Sequence, residues 1–135
     1  MYSKPSKNKI TKSKAKKKAW AMFSKYIRLS HADRYGLVIC YTCGTRMEWK
    51  YAQAGHAIPG RNNAVLFMSE IVRPQCIACN IFRSGNLAIF TKKLIDELGL
   101  EKYDELEALS RQIVQYKTQD YLDIEKKYKE FIKNI

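Results

Sequence analysis

At 135 residues, with 46% hydrophobic and 28% charged side chains, the chain is long enough for one compact core and short of the length at which a second is expected. No stretch approaches the roughly 20 apolar residues of a membrane span, and the first residues lack the apolar run of a secretion signal, so a soluble, cytoplasmic protein with no membrane partner is expected. The formal net charge of +12 points to a polyanion as the partner.

That charge is unevenly placed. Residues 1–18 form a basic tract holding eight lysines, Lys16, Lys17 and Lys18 among them, and no acid. Such a tract is expected to be flexible on its own and to gain affinity on a phosphate backbone by releasing counterions; the plainer alternative is a solubilising tail. From Gly36 to Lys93 seven Lys or Arg face only Glu48 and Glu70, whereas Glu101 to Ile135 is nearly balanced. Nucleic acid therefore fits the front of the chain better than its end.

Ala19 to Leu29 sets Trp20, Phe23 and Ile27 at helical spacing, which predicts an amphipathic helix with that stripe in the core. His31, in the turn that follows, reads as a surface residue. Gly36 breaks the helix, and Leu37-Val38-Ile39 predicts a short strand leading into Cys40-Tyr41-Thr42-Cys43-Gly44. Tyr51 to Ile58 and Ala64 to Phe67 predict two strands of a hairpin, turned by Pro59-Gly60-Arg61-Asn62-Asn63. After Pro74, Cys76-Ile77-Ala78-Cys79-Asn80 opens a short helix that should end near Ser84-Gly85, and a further helix is predicted from Leu87 to about Leu98, before Gly99. Leu106, Leu109 and Ile113 share one helical face; Tyr121, Ile124, Tyr128 and Phe131 share another. These two C-terminal helices are expected to pack on the core or to pair with a second copy, which makes a homodimer an expectation. The spacing assigns no role to Arg73 or Tyr51.

Cys40, Cys43, Cys76 and Cys79 carry the strongest signal. Two CxxC pairs supply four soft thiolates at the spacing that tetrahedral Zn²⁺ requires, and a reducing compartment favours metal over disulfides. A closed Cys₄ site leaves no open coordination position, so its zinc is structural and any chemistry lies elsewhere. On these residues alone a noncatalytic zinc ribbon remains open.

Between the two knuckles stands Gly55-His56-Ala57-Ile58-Pro59, and Asn80 follows Cys79 directly. This order of knuckle, histidine, loop, knuckle and asparagine resembles the HNH nucleases of the ββα-metal superfamily. The resemblance implies that His56 deprotonates the attacking water and that Asn80 helps hold a catalytic divalent ion, Mg²⁺ or Mn²⁺. Over most of the chain the sequence further resembles the NinG/Rap family of phage recombination proteins. The carrying residues are Trp20 to Leu29, Cys40 to Gly44, Gln53-Ala54-Gly55-His56, Arg61-Asn62, Gln75-Cys76, Cys79-Asn80, Ser84-Gly85-Asn86-Leu87 and Leu109-Ser110-Arg111-Gln112. Cys79-Asn80 with His56 is also similar to the phage endonuclease VII type of junction resolvase.

What these resemblances imply is an α+β fold with a zinc-stapled HNH ββα-metal core over residues 19–99, opening on an N-terminal helix and followed by a C-terminal helical extension over 100–135. The implied activity is structure-specific DNA cleavage at branched recombination intermediates such as Holliday junctions and D-loops, with host or phage recombination proteins as partners. Arg61, Arg83, Lys92 and Lys93 are expected to hold flanking phosphates. Two departures bear on the site. Many HNH enzymes place a metal-binding Asp where Gly55 stands, which leaves Gln53, Asp33 or Glu70 to offer an oxygen, or water and substrate phosphate to complete the shell. Ile71 stands where many relatives place an Asn, so the residue that orients the histidine is expected to be Asn62 or Asn63. A general HNH nicking enzyme and a noncatalytic zinc-dependent DNA adaptor are the alternatives.

Overall fold

A computed structural model describes residues 9–59 and 63–135. Helix α1 spans Lys12–Ser30 and so begins inside the lysine tract, well ahead of Ala19. Two local causes extend it. The Thr11 hydroxyl accepts the Lys14 amide at 3.2 Å, satisfying one of the free N–H groups of the first turn. Ala15 and Ala19 are fully buried against Tyr121, giving the early turns a packed face. Lys12, Lys14, Lys17 and Lys18 are left exposed on an ordered helix.

Two small antiparallel hairpins follow. Strands β1 (Leu37–Ile39) and β2 (Arg46–Glu48) pair with Leu37 opposite Glu48, and the turn between them carries Cys40 and Cys43. The turn is closed by Cys40 N–H to Thr45 O at 2.7 Å and Gly44 N–H to Cys40 O at 2.9 Å. Strand β3 (Gln53–His56) pairs with β4 (Val72–Gln75) in the register Gln53 to Gln75 and His56 to Val72.

The second hairpin corrects the expected one. Ala64 to Phe67 is not a strand; α2 (Asn63–Leu66) lies inside the long β3–β4 connection, and β4 ends directly before Cys76. A short apolar run carries too little periodicity to separate helix from strand. Here tertiary contacts decide: Val65 is buried in the core, and the Asn63 carboxamide donates to Val114 O at 3.2 Å and accepts from the Tyr121 hydroxyl at 3.3 Å.

Past Cys76 the chain makes one wide π-helical turn, Ala78–Phe82, and then α3 (Leu87–Leu98), which Gly99 ends in the left-handed region at φ 89° with its N–H bonded to Ile95 O. Helices α4 (Leu100–Ser110) and α5 (Thr118–Lys133) complete the chain. The predicted face of Leu106, Leu109 and Ile113 does not survive. Leu106 is buried, but α4 stops at Ser110, Leu109 is exposed, and Ile113 is 92% exposed beyond the helix end.

α5 instead lies along α1. The Tyr128 ring meets Phe23 edge-on at 5.0 Å and Tyr26 at 5.2 Å, and Tyr121 is fully buried. The apolar face of the last helix is thus used within the chain. The core joins both ends of the sequence to the second hairpin: Phe23, Ile27, Ile71, Val72, Phe90, Leu94, Leu106 and Tyr128 form one cluster. Each such side chain contributes roughly 1.5–3 kcal/mol by leaving water. No helix among the described residues is long and apolar enough to cross a membrane.

Candidate metal centre and the His56 site

The hairpin turn and the π-helical turn bring the four cysteines together, with all their sulfur atoms within 4.8 Å of one another. Cys43 Sγ and Cys76 Sγ are 3.7 Å apart. A tetrahedral zinc with Zn–S bonds of about 2.3 Å has sulfur–sulfur edges of about 3.8 Å, so this spacing fits zinc, whereas a disulfide would need about 2.05 Å. The electrostatics agree. Burial alone would raise the Cys40 thiol, but hydrogen bonds from the Cys76, Cys43 and Thr42 backbone and from the Thr42 hydroxyl bring it down to about 6. Burial and three neighbouring sulfurs push Cys76 up to about 12. Four thiolates this close repel one another, and a divalent cation among them would offset that repulsion.

A shell of donors surrounds those sulfurs. Cys79 Sγ accepts from Arg83 Nη1 at 3.5 Å and from Asn86 Nδ2 at 3.7 Å, and Cys76 Sγ from the Cys79 amide at 3.5 Å. To wrap back onto Cys79 the chain takes three successive positive φ angles, 48° at Ser84, 92° at Gly85 and 49° at Asn86. Such donors offset the net negative charge of a zinc tetrathiolate.

His56 ends β3 and is held by two groups. Its Nε2 lies 3.2 Å from Leu66 O in α2, and its ring stacks on Trp20 of α1 at 5.4 Å and 18°. A carbonyl can only accept, so Nε2 carries the proton and Nδ1 keeps the lone pair, the tautomer of a general base. Burial lowers the imidazole pKa below its ordinary 6.5, against a smaller upward pull from the Leu66 and Val65 carbonyls. The ring is neutral at neutral pH.

Asn80 and Gln53 meet across the second hairpin, Asn80 Nδ2 donating to Gln53 Oε1 at 2.7 Å. They line an open cleft of about 260 Å³ with Trp20, Ser24, Ala52 and Ala54. Trp20 therefore connects the two halves, stacking on His56 and walling the cleft that holds Asn80. On its other side Trp20 lines a second cleft of about 360 Å³ with Leu66, Ser13, Lys16 and Lys17. Periodicity placed Trp20 in the core stripe and missed this role, because spacing identifies a helix face but not which residue stands at its rim.

The remaining predicted residues divide. Arg61 and Asn62 lie outside the described residues. Lys16 and Lys17 line the second cleft with Trp20 and Leu66, the two residues that contact His56; Lys18 is exposed one position further along. Arg83 is exposed but tied to the cysteine cluster, and on α3 Lys92 is exposed while Lys93 lies over the Tyr41 ring at 5.0 Å. Asn63 is committed to α5 and does not orient the imidazole, a task that falls to Leu66 O and Trp20. Asp33 caps its own turn by accepting the Tyr35 and Leu37 amides, and Glu70 is exposed beside Ser69. Gln53 is the alternative ligand that sits with Asn80. His31 is exposed as expected and contacts Ile27 O. Arg73 is buried and pairs with Glu97, fixing β4 to α3.

These features define a small mixed α+β protein, strongly basic, with a four-cysteine centre suited to zinc. The family model described as Bacteriophage Lambda NinG protein matches residues 3–135, and the chain belongs to the NinG family. Curated relatives named Protein ninG from Escherichia phage lambda and Escherichia phage 933W are 29% identical over 69 residues, and that of Salmonella phage P22 is 28% identical. The matched stretch covers 51% of this chain and 34% of each relative, so the chain spans about a third of the length of the curated relatives it matches. No solved structure matches.

Proposed function

We propose that the protein is a metal-dependent HNH-type endonuclease that hydrolyses phosphodiesters in branched DNA, with zinc on the four cysteines as a structural staple. The observation that carries this reading is the state of His56: neutral, its Nε2–H given to Leu66 O and its Nδ1 lone pair left free of that bond, on a ring stacked against Trp20, the residue that also walls the Gln53–Asn80 cleft. In that role Nδ1 removes a proton from water as the oxygen attacks phosphorus. Trp20 and Leu66 hold the ring plane through the transfer, and Lys16 and Lys17 set phosphates at the mouth of the neighbouring cleft. Asn80 Oδ1, whose amide nitrogen is already engaged, and Gln53 Oε1 are the oxygens suited to a divalent ion. A divalent ion held by these oxygens would supply charge stabilisation at the departing sugar oxygen. Family membership supports a role on phage DNA, and the preference for branched recombination intermediates rests on that resemblance.

Purified protein with Mg²⁺ or Mn²⁺ is expected to nick a synthetic four-way junction in preference to linear duplex. His56→Ala should lower the rate by about 10²–10⁴-fold with zinc content and circular dichroism unchanged. Equal cutting of junction and duplex would instead support a general nicking enzyme. Binding without cleavage, the same for both proteins, would support the zinc-dependent DNA adaptor, a reading favoured by one observation: the only metal-binding cluster of acidic, histidine or cysteine side chains among the described residues is the cysteine set.

A further inference from the structure

The turn Ala78–Phe82 has two faces of different character. Inward stand Cys79, fully buried at the metal centre, and Asn80, half-buried at the cleft. Outward, within the same six residues, stand Ile77, Ile81 and Phe82, which are 52%, 54% and 78% exposed. A single exposed apolar side chain is ordinary, but three on one turn beside a candidate active-site amide form a patch that calls for a partner. The turn is also rigid. Asn80 N–H bonds to Cys76 O, Arg83 N–H to Ala78 O and Gly85 N–H to Cys79 O, each at 2.9 Å, and the cysteine centre anchors its base.

Charge selects the occupant. Arg83 follows Phe82 directly and is exposed, and from Gly36 to Lys93 basic residues outnumber acids by seven to two. A second copy docking through this same face would bring the same positive charge to the patch, whereas DNA brings the opposite one. We infer that Phe82, flanked by Ile77 and Ile81, is a wedge that enters DNA where base stacking is interrupted, with Arg83 on the adjoining phosphate. Apolar side chains do enter base steps, and the entry is least costly where the stack is already broken, as at a branch point. This inference rests on the DNA reading proposed above and gives it a physical source of preference for branched over continuous duplex, through shape and not sequence.

The test uses the full chain without added Mg²⁺ or Mn²⁺, a four-way junction carrying a fluorescent adenine analogue at the branch, and a linear duplex carrying it centrally. Wild-type protein should raise the analogue's emission in the junction as the base unstacks. Phe82→Ala should lose about tenfold in junction affinity, keep its duplex affinity and abolish the rise; Phe82→Trp should retain all three properties. Zinc content and circular dichroism report folding, and Ile81→Ser serves as an independent variant of the same face. Wild-type-like binding and emission by Phe82→Ala would overturn the wedge. So would a fall in molar mass on ultracentrifugation of Phe82→Ala, which would make the patch a contact between copies. If the wild-type protein binds no DNA, the function proposed above fails and the wedge with it, whereas DNA binding without the emission change sinks the wedge alone.

Discussion

Beside Gly55 the chain has no room for a side chain. A Cβ built there would stand 1.9 Å from Gln75 Oε1, and Gln75 is 0% exposed, its Nε2 donating to Thr42 Oγ1 at 3.0 Å and to Gly85 O at 2.9 Å. Those two bonds fix the amide, leaving its Oε1 buried without a partner and aimed at Gly55. An Asp at this position is therefore sterically excluded, and under the function proposed above the oxygen it would offer falls to Gln53. Gly55→Ala is expected to cost about 1–3 kcal/mol by overpacking; a thermal midpoint equal to that of the parent would show that the close approach is absent. At His56 the pKa lies below 6.5 because the ring is buried. The imidazole's contribution to stability is thus complete above about pH 6.5, its unfolded value, and is lost as pH falls through the lower folded value. The acid limb of the cleavage rate should accordingly fall below pH 6.5, and an imidazole titration by NMR in the free protein should give the same midpoint; a midpoint above 6.5 would contradict the burial.

Among the elements, the parts legible in the sequence were those whose signal is local. The paired CxxC motifs announced a four-sulfur cluster because ligand spacing is a short-range property, and Gly99 marked the end of α3 because only a left-handed residue closes the helix there. The partner of β3 was hidden. Ala64 to Phe67 looks like a strand until Asn63 is tied to α5, a contact more than fifty residues away in the chain, and β4 then pairs in its place. The link between Gln53 and Asn80 was equally out of reach, since it depends on the register that sets Gln53 opposite Gln75. Both hairpins meet at the cysteine centre, so its metal should matter for folding as well as for position. Chelation, or Cys79→Ser, is expected to lower the thermal midpoint and to loosen β1–β2 and the π-helical turn together, because the buried sulfurs of Cys40 and Cys79 would lose the cation that compensates them. Metal analysis should find one zinc per chain, and an unchanged midpoint after its removal would show that the cluster is not a staple.

At the scale of the whole molecule, α1 and α5 are side by side although both hairpins and helices α2, α3 and α4 lie between them in the chain. Lysines that read as a loose tail are displayed from Lys12 onward on a helix with one packed side, so their charge is presented at defined spacing. The packed side depends on Tyr121 and Tyr128. This places an order on biosynthesis. Until the segment from Thr118 has left the ribosome, Ala15 and Ala19 lack Tyr121 and Phe23 lacks Tyr128, so this face of α1 is only partly covered. A nascent chain arrested short of Thr118 should be cut by trypsin within Lys12–Lys18 far faster than the released protein; equal resistance would refute the dependence. Under the function proposed above, the helix that carries Trp20 is fully packed only after α5 has been made, so the order of translation sets when the imidazole's support is complete.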